Sequence, residues 1–431
     1  MPPVGSKLPE PDRISHGMPS RLLVLSNGHG EDLIALRVIR ALRLRQPRLA
    51  VAVLPLVGEG LGFCEAETNG ELERIGPRRE LPSGGFSNQS LTGLLGDLSA
   101  GLPLISWQQL RIVRRWGRRG LPVLAIGDLL PLLLAWASGA PYGFIGTPKS
   151  DYTWRSGPGR DRVADGYHRC KGSEWDPWEW LLMRQRRCRL VAVRDALTAR
   201  GLRRHGVRAL APGNPMMDGL DALPLPAALA HRRRLVLLCG SRMPEALTNL
   251  RRLLEALHTL RPRGEPLVVL CPTGSRPTAG QLEPLLRAKH FTPATPPEGC
   301  GATSAWQRGS LSLLIGNGAF RRWAAWGEVG LATAGTATEQ LVGLGIPALS
   351  LPGPGPQFKA GFARRQSRLL GGAVRVCPAP EALAAALGDL LANRSECGAL
   401  ARIGRRRMGA AGGSERLAAL LEKDLLGQGQ G

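Results

Sequence analysis

The sequence predicts an α/β protein made of two similar halves, each an open parallel sheet whose strands alternate with helices. Three observations carry that expectation. The segment RLLVLSNGHGEDLIALRVIRALR, from Arg21, reads as a buried strand, a glycine-rich turn and a helix, and a second apolar run, LAVAVLPLVG, follows it. The same order restarts with RRLVLLCGSRMPEALTNLRRLLEAL from Arg233, followed by the short apolar runs LVVLC (267–271), LSLLI (311–315), LATAG (331–335) and ALSLP (348–352). Between the halves lies APGNPMMDGL, where Pro212, Gly213 and Pro215 disfavour continued regular structure. The length agrees, since 431 residues and 46.2 kDa are too many for one ordinary core and suit two domains of about 200 residues.

Each element has a local reason. Leu22–Ser26 is an apolar run of strand length, and the helix expected from about Glu31 carries Leu33, Ile34, Leu36, Val38, Ile39 and Leu42 on one broad face. Further strands are expected at Val123–Ile126, Gly143–Gly146, Leu190–Val193 and Val207–Leu210, with helices around Leu102–Arg118 and Ala196–Arg203. In the second half, strand Leu235–Cys239 leads into a helix, and others are expected at Ala279–Ala288, Thr338–Leu344, Phe362–Leu370, Pro380–Asn393 and Gly398–Met408. Phe86–Gly101 and Thr147–Trp180 lack either period and read as long loops or insertions. The organisation expected is a flexible segment 1–19, a first domain 20–212, a second domain 213–400, a helical segment 401–425 crossing back toward the first domain, and a flexible tail 426–431. Two such domains leave a cleft at the C-terminal ends of their strands, where open parallel sheets bind ligands.

Composition narrows the class of function. Apolar residues at 43% and charged residues at 21% exclude a disordered chain, and the 56 Gly and 35 Pro show no collagen-like period. Lys and Arg outnumber Asp and Glu 57 to 34, a net charge of +23, which implies an anionic partner: nucleotide, nucleic acid or phospholipid surface. Only 6 of the 57 are Lys, a ratio that a biased genome also produces. The 8 Cys stand singly with no CxxC, so a reducing compartment and no structural zinc are expected. The first 20 residues hold no apolar signal region, and Leu121–Pro148 is interrupted by Asp128, Pro131 and glycines, which favours a buried strand and helix over a membrane span. A cytoplasmic location is expected, with peripheral contact to an anionic membrane surface as an addition.

Five stretches carry the candidate chemistry. In SNGHGED (26–32), Asn27, Gly28, His29, Gly30 and Glu31 stand between a strand and a helix, where backbone N–H groups favour an anion and small neighbours let the His29 imidazole face the cleft. Glu31 and Asp32 serve equally well as simple helix caps. The third glycine of a GxGxxG pattern is replaced by Leu33, and Pro55 stands where a ribose-binding acid is expected, which argues against a dinucleotide dehydrogenase. In CGSRMPE, Gly240, Ser241 and Arg242 combine a turn glycine, a hydroxyl and a guanidinium, the donor set of a phosphate site. In AGTATEQ, Gly335 and Thr336 end a strand, Ala337 and Thr338 open a helix, and Glu339 and Gln340 follow; the N–H groups can hold a diphosphate and the Glu339 carboxylate can accept from ribose hydroxyls, with no metal required. Gln357, in the stiff PGPGPQF loop, is a candidate for sugar or phosphate. Asp128, in LAIGDLLPLLLAW, follows an apolar strand with almost no charged sequence neighbours, so partial withdrawal from water suits it to act as a general base, or merely to cap the next helix.

With these residues the chain resembles bacterial lipid-A-disaccharide synthase and, more loosely, the MurG-type N-acetylglucosaminyltransferases. Its nearest resemblance is to the lipid-A-disaccharide-synthase-related family of cyanobacterial type. The resemblance runs from Arg21 to about Leu421 and rests on the GSR turn at 240–242, GNPMMD at 213–218 and GTATEQ at 335–340. It implies the GT-B fold, two Rossmann-like domains facing across a central cleft, and inverting transfer of an N-acetylglucosamine-type sugar from a UDP-sugar to a lipid or membrane-linked acceptor. It further implies that Arg242 contacts phosphate, that Thr336 to Thr338 hold the diphosphate, that Glu339 lies near the uridine ribose and that Asp128 deprotonates the acceptor hydroxyl. No cofactor or metal is implied beyond the UDP-sugar donor. PGPGPQFKAGFARRQ (352–366) departs from the tyrosine-containing loop of the true synthase, so the acylated-glucosamine acceptor is not carried over.

The insertion beyond Thr147 mixes Tyr152, Trp154, Tyr167, Trp175, Trp178 and Trp180 with many arginines. Trp154 and its neighbours suit acceptor binding or contact with an anionic membrane surface, and ordinary packing with solvent-facing arginines accounts for most of them equally well. Stacking on single-stranded nucleic acid is chemically open to them, but no basic helix or binding module accompanies the aromatics, and no specific nucleic-acid partner is expected. A UDP-sugar epimerase and a non-catalytic nucleotide- or lipid-binding protein of degenerate fold are the alternatives to a transferase.

Overall fold

The computed structural model describes residues 20–77, 102–159, 161–220, 223–260, 266–353 and 358–427. Segments 1–19 and 428–431, the Phe86–Gly101 stretch and Gln357 therefore lie outside the described residues.

Near-continuous apolar runs such as LLVL, VLAI and LVVL cannot leave a face in water, so the strands are covered by helices on both sides. The first sheet contains β1 (Arg21–Ser26), β2 (Ala50–Pro55), β3 (Glu73–Arg74), β4 (Val123–Gly127), β5 (Tyr142–Gly146), β6 (Cys188–Val193) and β7 (Ala209–Leu210), in the order β3-β2-β1-β4-β5-β6-β7. All its neighbours run parallel. The second contains β8 (Arg233–Leu238), β9 (Leu267–Thr273), β10 (Thr292–Ala294), β11 (Ser304–Arg308), β12 (Leu311–Asn317), β13 (Val329–Ala332), β14 (Ala348–Ser350) and β15 (Val374–Val376), in the order β10-β11-β12-β9-β8-β13-β14-β15. Its β10 and β11 form an antiparallel edge that the sequence pattern did not reveal, because β11 buries only Ala305 and Trp306. Strand order reverses between β1 and β4 in one sheet and between β8 and β13 in the other, and each reversal opens a crevice at the carboxyl ends of its strands.

The helices that matter below are α1 (His29–Arg45), α2 (Leu102–Gly117), α3 (Leu129–Ala137), α4 (Pro177–Met183), α5 (Glu245–Thr259), α6 (Thr336–Gly343), α7 (Ala360–Leu369), α8 (Arg394–Met408) and α9 (Gly413–Leu421). Four begin earlier than expected: α1 at His29 rather than Glu31, α6 at Thr336 rather than Thr338, α7 at Ala360 rather than Phe362, and α8 at Arg394 rather than Gly398, where Asn393 caps it by accepting from the Glu396 N–H. The strand expected from Val207 is confined to Ala209–Leu210. The stretch Leu121–Pro148 divides into β4, α3 and β5, and among the described residues no helix is long and apolar enough to cross a membrane.

The chain's last helix returns to the first sheet. Leu417, Leu421 and Leu425 join Leu22, Val24 and the α1 residues Val38 and Leu42 in one core cluster, which also takes in Val236, Leu238 and Leu341 of the second domain. The seam motif anchors this return. One carboxylate, that of Asp218, accepts from the backbone N–H groups of Gly412 (2.6 Å), Gly413 (3.1 Å) and Ser414 (2.7 Å), satisfying the start of α9. A Cβ on Gly413 would lie 2.7 Å from the Asn214 and Pro215 backbone, so only glycine lets the two segments meet. GNPMMD is therefore a brace between chain segments.

The insertion after Thr147 is a clasp between domains. Arg365 reaches Glu174 (2.6 Å), Arg368 reaches Asp165 (2.6 Å), and the Arg407 guanidinium donates to Ser156 Oγ (2.9 Å) while lying 4.0 Å from the Tyr152 ring centroid. This corrects the expectation for Trp154 and Trp175, which are buried and offer no surface to an acceptor or a membrane. Trp175 is fully buried against Phe144, Trp180 stacks on His205 at 3.6 Å, and Trp154 is buried with its indole N–H directed at the Asp151 carboxylate. Of these side chains only Tyr167 and Trp178 are exposed.

Candidate functional site

Both sheet reversals place candidate residues in the cleft. In the first domain, Asn27 follows β1 and Asp128 follows β4, so two adjacent strands deliver them together. The Asn27 amide donates to Asp128 Oδ1 at 2.7 Å, and the same oxygen accepts from the Leu130 N–H at 3.2 Å, capping α3. Capping and a role in the cleft are thus both available to Asp128, since these bonds fall on Oδ1. Gly127, at φ 132°, makes the join possible: a Cβ there would stand 3.1 Å from Asn27 Cβ and 3.5 Å from Glu31 Cγ. Asn27 Oδ1 is buried without a hydrogen-bond partner, an acceptor that a ligand hydroxyl would satisfy.

Carboxyls crowd this crevice. Burial raises the pKa of Glu31 to about 7, against a counteracting hydrogen bond from Thr147 Oγ1 at 3.2 Å and with help from the neighbouring Asp128 charge. Burial likewise raises Asp32 to about 7, although its Oδ1 accepts from Ser26 Oγ at 2.5 Å. Asp128 is also pushed above the ordinary carboxylate range by burial, with the Leu130 N–H and Lys149 opposing. His29 sits in the first turn of α1, after Gly28 at φ 117°; burial and then the Arg242 charge hold its pKa below the usual imidazole value, so it is neutral at pH 7.

The second domain supplies the opposite chemistry. Gly240, at φ 91°, ends the extension of β8, and Ser241 and Arg242 stand exposed in the following loop before α5. Arg242 acts on His29 electrostatically, so this loop faces the α1 turn across the cleft. At the end of β13, the Thr333 N–H and hydroxyl both donate to the Leu238 carbonyl, tying the two loops together at the reversal. Gly335 then caps α6, whose first-turn N–H groups open the positive end of the helix dipole to the cleft. The approach of the domains is close: a Cβ on Gly30 would lie 2.9 Å from Thr336 Oγ1.

Some expected contacts are reassigned. Thr338 is wholly buried and donates to the Ala334 carbonyl at 2.6 Å, and Gln340 is buried and donates to the Met216 carbonyl at 2.6 Å. Both hold α6 in place rather than offering donors to a diphosphate, which leaves Thr336 and the amides of Thr336 and Ala337. Trp154 is not brought to the cleft, because the Asp151 network draws it into the clasp. Glu339 does face the cleft, but its Oε2 pairs with Arg194 Nη2 of the first domain at 2.8 Å.

Three residues escaped the sequence reading. Arg194, at the end of β6, reaches Thr147 O and Glu339, so it links the acidic crevice to the donor turn. Its signal was a cation at the carboxyl end of a buried strand, the position at which Asp128 was noticed. Thr147 holds the same position after β5. Gln366 of α7 donates to Gly335 O at 3.0 Å and leaves Oε1 buried without a partner, which no local pattern announces. Among the described residues no group of three or more His, Cys, Asp or Glu is arranged to hold a metal ion.

The fold has counterparts in solved structures. CalG4, the calicheamicin glycosyltransferase, is similar over 96% of this chain and 100% of its own, at 15% identity and a TM-score of 0.59. A protein from Listeria monocytogenes assigned as a UDP-N-acetylglucosamine 2-epimerase is similar over 93% of this chain and 95% of its own, at 11% identity and a TM-score of 0.56. Acinetobacter baumannii MurG is similar over 94% and 100%, at 16% identity and a TM-score of 0.52. No protein-family model matches the chain, and no curated protein matches it in sequence. The fold is GT-B: two Rossmann-like α/β domains facing across a cleft.

Proposed function

We propose that the protein is an inverting glycosyltransferase that moves a sugar of the N-acetylglucosamine type from a UDP-sugar to a hydroxyl of a lipid or membrane-linked acceptor, without a metal, at the cytoplasmic face of a bacterial inner membrane. One observation carries the reading: a desolvated Asp128 beside Asn27 faces, across a cleft narrow enough to need Gly30, the α6 terminus and Arg242. Asp128 takes the proton of the acceptor hydroxyl. The oxygen attacks the anomeric carbon, the bond from that carbon to the diphosphate breaks on the opposite face, and UDP leaves with its charge held by Arg242 and the Thr336 and Ala337 amides. Glu339 uses Oε1 for the ribose while Oε2 stays on Arg194, and the unpartnered oxygens of Asn27 and Gln366 accept from sugar hydroxyls. CalG4 and MurG, which share the fold, support a transferase.

The second reading, a UDP-sugar epimerase, draws on the several proton-holding carboxyls, Glu31 and Asp32 among them, and on the fold shared with the Listeria protein. Calorimetry with UDP, UDP-N-acetylglucosamine, UDP-glucose and pyrophosphate tests the donor site: preference for the UDP compounds is expected, and equal weak binding of all four rejects it. Isomerisation of UDP-N-acetylglucosamine without any acceptor would replace the transferase with the epimerase. Donor binding with neither reaction, across a broad acceptor set, would leave a non-catalytic binding protein.

A further inference from the structure

We infer that the surface formed by α2, α3 and α4 is the face with which the protein lies on an anionic phospholipid membrane. The inference takes its biological sense from the lipid-linked acceptor proposed above, on which it rests, while the surface is argued from its own residues. Of the insertion's aromatics only Trp178, on α4, belongs to this surface; the other residues of the surface come from all three helices.

Helix α3, LLPLLLAWA, has no polar side chain on any face. Its inner residues Leu132, Leu134 and Ala135 enter the core under the first sheet, while Leu130, Leu133 and Trp136 recur three apart along its outer face and stand in water. α2 packs on one side of it and α4 on the other. α2 adds Leu104 and Trp107 to the outer face, and α4 adds Trp178 and Leu181; every one of these seven is between 37 and 60% exposed. Seven exposed leucines and tryptophans on three packed helices are not an ordinary soluble surface. Leu and Trp on neighbouring helices suit insertion to the depth of the headgroup and acyl boundary.

Charge identifies the occupant. α2 and the turn after it carry Arg111, Arg114, Arg115, Arg118 and Arg119, all exposed, and Arg184 and Arg186 follow α4. From residue 102 to residue 150 the single acid is Asp128, and the α4 acid Glu179 is buried on Lys149. An apolar centre with a cationic rim and no exposed carboxylate on these helices complements a bilayer of anionic lipid. A nucleic acid would find phosphate partners here but no use for the leucines. Trp107 is sandwiched between surface and charge, with the Arg111 guanidinium 4.5 Å from its ring centroid, an arrangement suited to the interface.

The face also ends where the chemistry begins. Asp128 is the N-cap of α3, so the candidate base and exposed Leu130 are two residues apart. A lipid held with its chains against α3 presents its headgroup at the Asp128 end of that helix, and the acceptor need not leave the membrane to reach the cleft.

The test is flotation of the full chain with vesicles of phosphatidylcholine alone or of phosphatidylcholine with roughly one third phosphatidylglycerol, whose negative surface potential attracts exposed arginines. At least tenfold preference for the anionic vesicles is expected, weakened by high salt. Leu133→Glu and, on a different helix, Trp178→Glu should each lower binding about tenfold or more, with UDP affinity by calorimetry and the thermal midpoint unchanged. Quenching of tryptophan fluorescence by brominated phosphatidylglycerol, reduced in Trp136→Phe, supplies a readout that does not depend on a charged variant folding. Absence of vesicle binding, binding indifferent to both glutamate variants, or self-association through this face in sedimentation velocity overturns the inference, as does binding to single-stranded oligonucleotide that competes fully with vesicles. Vesicle binding without UDP binding would instead sink the transferase reading and leave this one standing.

Discussion

The two sheet reversals share one topology and have opposite chemistry. The crevice between β1 and β4 is acidic, buried and internally bonded: Asn27 on Asp128, Thr147 on Glu31, Ser26 on Asp32. The crevice between β8 and β13 offers the open end of a helix, an exposed hydroxyl and a guanidinium. The difference teaches that position in such a fold brings residues to a ligand, while burial decides what they do there. A carboxyl kept from water gains basicity and holds protons near neutrality, whereas donors left accessible can meet a phosphate that arrives with its own charge.

The comparison can be broken from the acidic side first. Asp128→Asn preserves size and the cap but removes the base, so kcat should fall by roughly 10³ with donor affinity unchanged; unaltered turnover would end the assignment. On the basic side, Arg242→Ala should weaken UDP binding by about 2 kcal/mol, roughly thirtyfold, and leave the acid limb of the pH profile in place.

The buried carboxyls make the third prediction. Glu31 titrates at about 7 in the folded protein against 4.5 for an unhindered side chain. Between those values the folded state binds more protons than the unfolded one, so stability falls as pH rises through that window and is level above it. Glu31→Gln should flatten part of this slope and raise stability at pH 8 by about 1–2 kcal/mol, seen in urea melts at pH 5 and pH 8. The same burial predicts that kcat/KM rises with pH through a value above the ordinary aspartate range, as Asp128 ionises.

The smallest effect concerns the distance between the two crevices. Gly30→Ala places a methyl 2.9 Å from Thr336 Oγ1, which must shift. A fewfold loss of kcat with an unchanged UDP dissociation constant is expected, since the domains are held slightly apart; equal turnover would show that the gap is not set there.

Local patterns carried the fold well because buried parallel strands are written as apolar runs and their helices as amphipathic ones. Both sheet reversals were readable as glycine-rich strand ends at 26–30 and 240, and Asp128 as an isolated charge after an apolar run. What escaped were relations between distant segments. Nothing near Arg194 announces Glu339, 145 positions away, and nothing in GTATEQ says that Thr338 turns inward to Ala334 while Thr336 turns out. The burial of several aromatics of 152–180 was hidden for the same reason: Phe144 covers Trp175, His205 stacks on Trp180, and Arg407 of the other domain lies over Tyr152, all partners far along the chain. The outer face of α3 was in plain view as LLPLLLAW but is indistinguishable in sequence from a helix buried all round.

The Asp218 brace bears on how the chain is made. The α9 helix packs on α1, so Leu22, Val24, Val38 and Leu42 lack part of their cover until residues 413–425 have been synthesised. A ribosome delivers the first sheet long before its final helix, and for that interval the nascent first domain exposes apolar surface to chaperones and to other chains. Isolated 20–212 should accordingly be a poor folding unit, and a separately supplied second half that ends in α9 should rescue it in trans.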